Sequence, residues 1–168
     1  EILLRTAQLD GLTGAYNKRA TEEYINRILT QMPNEKGTFV ILDIDKFKEV
    51  NDQYGHAVGD TVLHELSKTF FRHFRKDDII GRIGGDEFVI SMRNTESKEI
   101  ASARINKLIE NVRNLPFEEM NGKYVTISVG IAFAPEAGSC YMDLYKNADT
   151  ALYEAKQNGR DGYHVYMG

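Results

Sequence analysis

Two acidic residues, Asp43 and Asp86, stand where a carboxylate can do chemistry. Asp43 lies at the end of TFVILDI (38–44), a nearly continuous apolar run that is typical of a strand covered on both faces. Asp86 follows two glycines between two strand-like runs, a pattern that indicates a hairpin. If these strands are neighbours, the two carboxylates meet at one end of the sheet and repel each other unless a cation lies between them. Such hard oxygen ligands favour Mg²⁺, which completes its coordination shell with phosphates and water.

Each of these carboxylates has an acidic neighbour with a different expected role. Glu87 follows Asp86 directly, and on a strand the two side chains would point to opposite faces, so only one should face a given site. The alternative for both is a solvated turn. Asp45 stands just before an expected helix, and we predict that its side chain caps that helix. Asp43 has no such structural role.

The elements that position these residues alternate between helices and strands. We expect helices over about 18–31 (with Asn17 as N-cap), 46–52, 58–74, 96–113 and 141–157, the last ended by Gly159. We expect strands over about 38–44, 79–83, 87–92, the alternating run 125–133, and an edge strand within 162–167. Because the hairpin makes the sheet mixed, the expected fold class is α/β or α+β, with helices layered on one sheet.

Length and composition limit the function classes. The chain has 168 residues, 42% of them hydrophobic, which suits one domain with a real core. A net charge of −4 disfavours broad attraction to nucleic acid or anionic lipid. The single cysteine excludes an internal disulfide and fits a reducing cytoplasm. We expect residues 1–9 to end a signalling helix from an upstream segment, residues 10–168 to form the domain, and any membrane anchor of the parent protein to lie outside this sequence.

Five blocks of the sequence resemble one family, the GGDEF domains or diguanylate cyclases. The blocks are DGLT at 10–13 with NKR at 17–19, LDIDKFKEVNDQYGHAVGD at 42–60, GGDEF at 84–88, SVGIA at 128–132 and ADTALYEAKQNGR at 148–160. The resemblance covers residues 10–165 and implies a palm-like fold similar to that of nucleotidyl cyclases. It also implies that two GTP molecules condense to cyclic di-GMP with release of two pyrophosphates, by attack of a ribose 3′-hydroxyl on an α-phosphate.

The resemblance implies a role for each matching residue. Asp43 and Asp86 would bind catalytic Mg²⁺, or Mn²⁺ in its place, with the carbonyl of Ile44, and Glu87 would assist beside them. The residues implied in GTP binding are Lys46, Phe47, Lys48, Asn51, Asp60, Gly84, Gly85, Lys156 and Arg160.

The basic residues of this set have a physical reason to bind phosphate. A helix that begins near Lys46 offers free backbone N–H groups to the β- and γ-phosphates, and Lys48 adds charge there. The alternative for Lys48 is a solvated helix lysine. Lys156 and Arg160 lie in the expected last turn of a helix, where cations bind phosphate in the family but also simply favour the helix dipole.

Asn51 and Asp60 match the residues that read guanine in the family. A carboxylate can accept hydrogen bonds from both N1–H and N2–H₂ of guanine, whereas adenine has neither donor at that edge. A site left with an unpaired buried carboxylate would therefore reject ATP. The structural alternatives are a turn residue for Asn51 and a helix N-cap for Asp60.

The segment RKDD at 75–78 resembles the RxxD site at which the product inhibits the enzyme. Arg75 suits this role because its planar guanidinium can hold a guanine edge or a phosphate with paired hydrogen bonds, and Asp78 completes the motif. The alternative is a charged loop between a helix and a strand.

The implied reaction needs a homodimer, because each domain binds one GTP and each 3′-hydroxyl must reach the α-phosphate held by the other. An upstream sensor would control that pairing, and the segment itself would contact neither nucleic acid nor membrane. Two other function classes remain open. One is a non-catalytic receptor that binds cyclic di-GMP through Arg75 and Asp78. The other is a ferredoxin-like nucleic-acid binder, which the acidic balance and the missing aromatic stacking pattern disfavour.

Overall fold

Five strands form one mixed sheet in the computed structural model, which describes residues 7–168. The strands are β1 (Gly37–Ile44), β2 (Ile79–Gly84), β3 (Glu87–Met92), β4 (Ile127–Ala134) and β5 (Gly162–Val165). Their order is β2-β3-β1-β4-β5; β1 is antiparallel to both β3 and β4, and β5 is parallel to β4. The expected mixed sheet and the edge strand near the C-terminus are both confirmed.

Within residues 7–168, five helices that each have described bounds lie on the sheet. They are α1 (Lys18–Gln31), α2 (Phe47–Tyr54), α3 (His56–His73), α4 (Lys98–Arg113) and α5 (Tyr141–Gln157), with a 3₁₀ turn at Glu118–Met120. Asn17 caps α1 as predicted, since its side chain accepts a hydrogen bond from the N–H of Ala20 at 2.9 Å. Helix α3 begins two residues before the expected start, because Gly55 (φ 94°) both ends α2 and precedes α3. Of the expected upstream helix, residues 1–6 lie outside the described residues, and residues 7 and 8 are helical.

Strand β1 is buried on both faces, as its apolar run predicts. Leu42 and Ile44 enter the core formed with α3 and α4. Phe39 and Ile41 enter the core formed with α1 and α5. Because side chains alternate along a strand, Asp43 shares the face of Ile41 and therefore points toward the α5 side.

Strand β4 is also buried along its whole length, and its small residues form the face that contacts α5. A Cβ atom added to Gly130 would lie 2.1 Å from the carbonyl oxygen of Ala148 and 2.4 Å from the backbone nitrogen of Leu152. Only glycine therefore lets α5 lie this close to the sheet. The strand begins at Ile127, so Val125, expected as its first residue, precedes it.

None of the helices described within residues 7–168 combines the length and the apolar character that a membrane span requires.

Candidate active site

The end of β1 and the β2–β3 hairpin bring the two key acidic segments together. In the β1–β3 pair, Asp43 lies directly opposite Glu87. Gly84 pairs with Glu87 across the hairpin, so the connecting loop consists of Gly85 and Asp86. Of the two glycines only Gly85 has a positive φ, of 49°. Asp86 is thus a loop residue just before the strand that begins at Glu87, as the expected strand bounds imply, and the alternation of side chains along a strand does not apply to this pair.

Asp43 is held by a cation from another element. The ammonium nitrogen Nζ of Lys156 donates to Oδ2 of Asp43 at 2.5 Å. Burial raises the pKa of Asp43 to about 6, against the lowering effect of Lys156 and with the help of the negative charges of Asp86 and Asp45. The ion pair therefore offsets only part of the cost of burying this carboxylate among its acidic neighbours.

Asp86 lies in the same electrostatic environment. Burial raises its pKa, while backbone amides of Asp86 and Ile44 and the charges of Lys156 and Arg82 act in the opposite direction. Asp86 is therefore within electrostatic reach of the Asp43–Lys156 pair and next to the backbone of Ile44. The sequence predicted that Asp43 and Asp86 meet if their strands are neighbours. The strands are neighbours, and the two carboxylates interact electrostatically.

This donor set fits a divalent cation that is bound partly by a substrate. Two carboxylates with raised pKa values and an adjacent backbone segment suit Mg²⁺, which takes one or two carboxylates and completes its shell with phosphates and water. Within residues 7–168, no three side chains of His, Cys, Asp or Glu are grouped to hold a metal.

Asp43 should give the protein a distinctive pH dependence. Folding raises its pKa from 3.8 to about 6, so between these values the folded state binds more protons than the unfolded state, and this contribution to stability falls as the pH rises. The Asp43→Asn variant lacks this titration. The free energy of unfolding of Asp43→Asn minus that of the wild type should therefore increase as the pH rises from about 4 to about 7. Urea unfolding of both proteins without divalent ions measures this; a difference that stays constant with pH would contradict it.

Glu87 has a partner that the sequence did not indicate. The hydroxyl of Tyr145, on α5, donates to Oε2 of Glu87 at 2.6 Å. Burial, followed by the hydrogen bond and the charge of Glu87, raises the pKa of Tyr145, so the hydroxyl keeps its proton and remains a donor. Nothing in the sequence around Tyr145 indicates this contact, because it depends on how α5 lies across the sheet, where it packs on β4 and β1.

Asp45 does not cap a helix, and that prediction is wrong. The residue before α2 is Lys46, which has φ 56° and makes no side-chain capping hydrogen bond. The buried carboxylate of Asp45 accepts instead from the hydroxyls of Thr126 and Ser128, both at 2.6 Å, and from the backbone N–H of Asp161 at 3.0 Å. Three donors from the β4 region and from the loop after α5 outweigh the single bond that a cap would give. Asp45 thus ties the end of β1 to both segments.

The candidate phosphate residues of α2 lie at its N-terminus, beside the two acidic residues. Lys46 and Lys48 are exposed, and Phe47 is half-buried. The first backbone amides of a helix have no partner within it, so this end of α2 can receive an anion. The exposure of Lys48 fits both phosphate binding and its solvated alternative.

The second pair of basic residues lies where α5 ends. Lys156 occupies the last turn and is engaged with Asp43 rather than merely lying near the helix terminus. Arg160 lies beyond the helix, which ends at Gln157, and this corrects its expected place in the last turn. Gly159 (φ 104°) ends the helix as predicted, and the N–H of Arg160 donates to the carbonyl of Ala155 at 3.1 Å. The exposed Arg160 (φ 62°) is carried by the loop that Asp45 anchors.

Asn51 and Asp60 come together through a glycine that sequence analysis did not single out. A Cβ atom on Gly59 would lie 1.9 Å from Oδ1 of Asn51 and 3.2 Å from Cζ of Phe47. The Asn51 side chain therefore lies against the backbone that carries Asp60. Both structural alternatives fail, because Asn51 is within α2 and Asp60 is within α3, whose N-cap is Gly55. A glycine inside a helix usually has a packing reason, and that signal could have identified Gly59.

The two key residues of the RxxD segment differ in burial, since Arg75 is exposed and Asp78 is buried. The side chain of Asp78 is only 2% exposed, and its carboxylate accepts from the backbone N–H groups of Arg75 at 2.9 Å and Arg93 at 3.1 Å. Arg75 itself is exposed. The guanidinium of Arg104, on α4, lies 3.9 Å from Asp78 and was not identified from the sequence. Asp78 therefore organises the turn, whereas Arg75 is free to meet a ligand.

Arg82 connects the N-terminal DGLT turn to the hairpin loop. Its guanidinium donates to Asp10 at 3.2 Å and to the carbonyl of Gly85 at 2.9 Å. Burial would raise the pKa of Asp10, but hydrogen bonds from Thr13 and Arg82 outweigh it and hold that pKa below its usual value. The loop that carries Asp86 is thus linked directly to the segment that enters the domain.

With this geometry established, comparison with known proteins decides the family. The chain matches the family model described as "Diguanylate cyclase, GGDEF domain" over residues 7–162. The chain belongs to the GGDEF family. This membership confirms the resemblance and the palm-like nucleotidyl-cyclase fold.

Two curated Escherichia coli relatives are longer than this GGDEF domain. PdeR, named as a cyclic di-GMP phosphodiesterase, is 37% identical over 161 residues, which are 95% of this chain and 24% of PdeR. DgcC, named as a probable diguanylate cyclase, is 36% identical over 158 residues, or 93% of this chain and 42% of DgcC. The domain therefore spans less than half of each relative.

Among solved structures, the GGDEF domain of DgcB from Caulobacter crescentus, in complex with c-di-GMP, is similar to this domain. It has a TM-score of 0.87 and 25% identity, and the alignment covers 96% of this chain and 97% of that one. The strand order and helix layers described above are thus those of a GGDEF domain.

Proposed function

We propose that this GGDEF domain is a diguanylate cyclase that condenses two GTP molecules into cyclic di-GMP and releases two pyrophosphates. The observation that carries the proposal is the convergence of Asp43 and Asp86 around Lys156, beside the N-terminus of α2. That arrangement offers metal-binding oxygens and phosphate-binding donors at one place. Family membership supports the same reaction class.

Each GTP would lie between α2, the hairpin and the end of α5. The amides at Lys46, Phe47 and Lys48, together with Lys156 and Arg160, would hold the β- and γ-phosphates. Gly84 and Gly85 carry no side chain that would keep the nucleotide from the hairpin backbone, since a Cβ at either would meet nothing within 4 Å.

Asn51 and Asp60, which lie close together because Gly59 has no side chain, would recognise guanine. Asp60, which is exposed at the start of α3, would accept from N1–H and N2–H₂, and Asn51 would complete the base edge. A bound base would cover this carboxylate, and ATP, which lacks these donors, would then leave it desolvated and unpaired, so the site would favour GTP.

The carboxylates and Lys156 would then arrange the reacting atoms. When bound by Asp43, Asp86 and the carbonyl of Ile44, Mg²⁺ or Mn²⁺ would neutralise phosphate charge and lower the pKa of the attacking 3′-hydroxyl. Lys156 can pass from Asp43 to a phosphate oxygen within the length of its flexible side chain. The 3′-hydroxyl would lose its proton to water and its oxygen would form a bond to the α-phosphorus, while the bond from that phosphorus to the bridging oxygen breaks and pyrophosphate leaves. The same step on the partner's GTP would close the ring.

Catalysis would require two domains that face each other, because each bound GTP supplies the 3′-hydroxyl for the other. Orienting two reactants in this way can contribute several kcal/mol, on the order of 7–11 at best, so pairing of the domains would control the rate. We place the reaction in the cytoplasm, where GTP is available, and assign control to an upstream sensor segment. The Arg82 bridge between Asp10 and the hairpin gives such control a direct route to Asp86.

Incubation of the purified chain with GTP and Mg²⁺, followed by identification of the product by mass, tests the proposal. We expect cyclic di-GMP and pyrophosphate, at a rate that rises more than linearly with protein concentration because two half-sites must meet. ATP in place of GTP is the control and should give no cyclic dinucleotide. Binding of cyclic di-GMP without any product at high protein concentration would support the receptor alternative instead.

Product inhibition should depend on Arg75. We expect Arg75→Ala to leave uninhibited turnover unchanged and to weaken inhibition by cyclic di-GMP by roughly tenfold or more, as expected for loss of charge-assisted hydrogen bonds. Arg75 is a cleaner test than Asp78, whose carboxylate supports the turn. Lys76→Ala, at the neighbouring exposed position, is the matched control. Titration of initial rates with cyclic di-GMP measures the effect, and an unchanged inhibition curve would refute this role.

A further inference from the structure

Helix α5 brings one hydrogen-bond donor to each member of an acidic pair on the sheet. Asp43 and Glu87 lie opposite each other on β1 and β3. Lys156 donates to Asp43 at 2.5 Å, and the hydroxyl of Tyr145 donates to Glu87 at 2.6 Å. The first contact is an ion pair, whereas the second is a neutral donor on a carboxylate.

The Tyr145 ring is fixed by packing, so its hydroxyl has a defined position. It stacks on the ring of Tyr141, with centroids 5.8 Å apart and an interplanar angle of 28°. Tyr141 is only 3% exposed and packs edge-on against Phe39 on β1, at 5.4 Å and 77°. Two buried aromatic contacts thus connect Tyr145 to the same strand that carries Asp43.

Glu87 needs such a partner because it lies among other negative charges. Its side chain has several rotatable bonds and adjoins Asp86 in sequence and Asp43 across the strands. A cation would hold the carboxylate by neutralising it, whereas a hydroxyl fixes one oxygen and leaves the charge in place. The second oxygen then remains available to a reactant or a metal-bound water.

We propose that Tyr145 is a positioning residue that sets the orientation of the Glu87 carboxylate for the cyclase reaction. The proposal rests on the proposed function, because Glu87 acts only if this site is catalytic. Tyr145 itself need not touch the nucleotide; it acts through Glu87. Removal of its hydroxyl should therefore affect the rate and the metal dependence more than it affects the binding of GTP.

The Tyr145→Phe variant removes the hydroxyl and keeps the aromatic stack. We expect kcat to fall roughly tenfold, as is usual when a residue that orients a metal-site ligand is lost, while KM for GTP changes less than about twofold. The Mg²⁺ concentration for half-maximal rate should rise by a similar factor of roughly ten.

Two tyrosines on the same helix provide matched controls. The buried hydroxyl of Tyr141 has no hydrogen-bond partner among the residues that the structure describes, so Tyr141→Phe alters the same stack without removing a described contact. Tyr153 is 62% exposed, so Tyr153→Phe tests the loss of a hydroxyl from α5 in general. Both variants should retain the kcat and the Mg²⁺ dependence of the wild type.

A comparison in a Glu87→Gln variant distinguishes an effect of Tyr145 through Glu87 from an effect on packing. Mg²⁺-dependent binding of a non-hydrolysable GTP analogue is measured for Tyr145→Phe alone and combined with Glu87→Gln. If Tyr145 acts through Glu87, its substitution weakens Mg²⁺ binding only when Glu87 is intact. A Tyr145→Phe enzyme with wild-type kcat, or an equal effect in both backgrounds, would overturn the proposal. A wild-type chain that makes no cyclic di-GMP would overturn the proposed function, and the binding measurement would still decide the role of Tyr145.

Discussion

Replacing Asp86 with alanine is expected to reduce cyclic di-GMP formation by roughly a thousandfold or more, because few groups can substitute for a carboxylate that binds the reacting metal. Asp86 occupies the hairpin loop and shares its electrostatic environment with Asp43 and Lys156. Its loss leaves Asp43 as the one carboxylate of the pair, already engaged with Lys156. Product formation with GTP and saturating Mg²⁺, measured by mass spectrometry, gives the comparison.

The same variant should fold at least as well as the wild type. Burial raises the pKa of Asp86, so the charged carboxylate is less favourable in the folded protein than in the unfolded chain. Removing this charge should therefore not lower the free energy of unfolding at neutral pH. Urea unfolding distinguishes loss of chemistry from loss of fold. Asp77→Ala, which removes an exposed carboxylate upstream of the hairpin, is the control and should keep full activity. An Asp86→Ala protein that still turns over GTP near the wild-type rate would refute the proposed metal site.

The Gly130→Ala substitution is expected to destabilise the fold by about 3 kcal/mol or more, at the upper end of the usual cost of overpacking. The added methyl group would lie 2.1 Å from the carbonyl oxygen of Ala148 and 2.9 Å from the Cα of Leu152. These are backbone atoms of α5, so the whole helix must move away from β4. Because α5 carries Lys156 and Tyr145, activity should fall together with stability.

A glycine on the next strand offers a matched control for this effect. A Cβ at Gly162 would meet only the carbonyl oxygen of Arg160, at an ordinary contact distance of 3.6 Å. The Gly162→Ala variant should therefore unfold close to the urea concentration of the wild type, and Gly130→Ala well below it. If both variants unfold together with the wild type, α5 does not lie as close to β4 as described.

Local sequence patterns were sufficient for most elements, but for the central acidic pair only under one condition. The N-cap Asn17 marked the start of α1, the apolar run 38–44 located β1, and Gly159 marked the end of α5, because caps and burial act through neighbouring residues of the chain. Asp43 and Asp86 were predicted to meet if their strands are neighbours, and β1 does pair with β3. Local patterns could not supply that condition, since the pairing of β1 with β3 depends on elements that are separated in sequence.

The contacts that were missed all depend on elements far apart in sequence. Asp45 precedes a helix and satisfies the local rule for an N-cap, yet its donors come from Thr126, Ser128 and Asp161. Tyr145 meets Glu87 only because α5 packs across β4 and β1 in a position that brings its hydroxyl to β3. Periodicity assigns a residue to a face but does not say which residue of another element lies opposite it.

The Asp45 anchor has a consequence for how the domain would receive a nucleotide. The loop that carries Arg160 is hydrogen-bonded to the end of β1 through the buried carboxylate of Asp45, so Lys46 and Arg160, more than a hundred residues apart in sequence, line the same pocket. A preorganised cradle loses little conformational freedom when a ligand arrives, and more of the contact energy then appears as affinity. Differences in affinity between GGDEF domains can thus originate in a side chain that never touches the ligand.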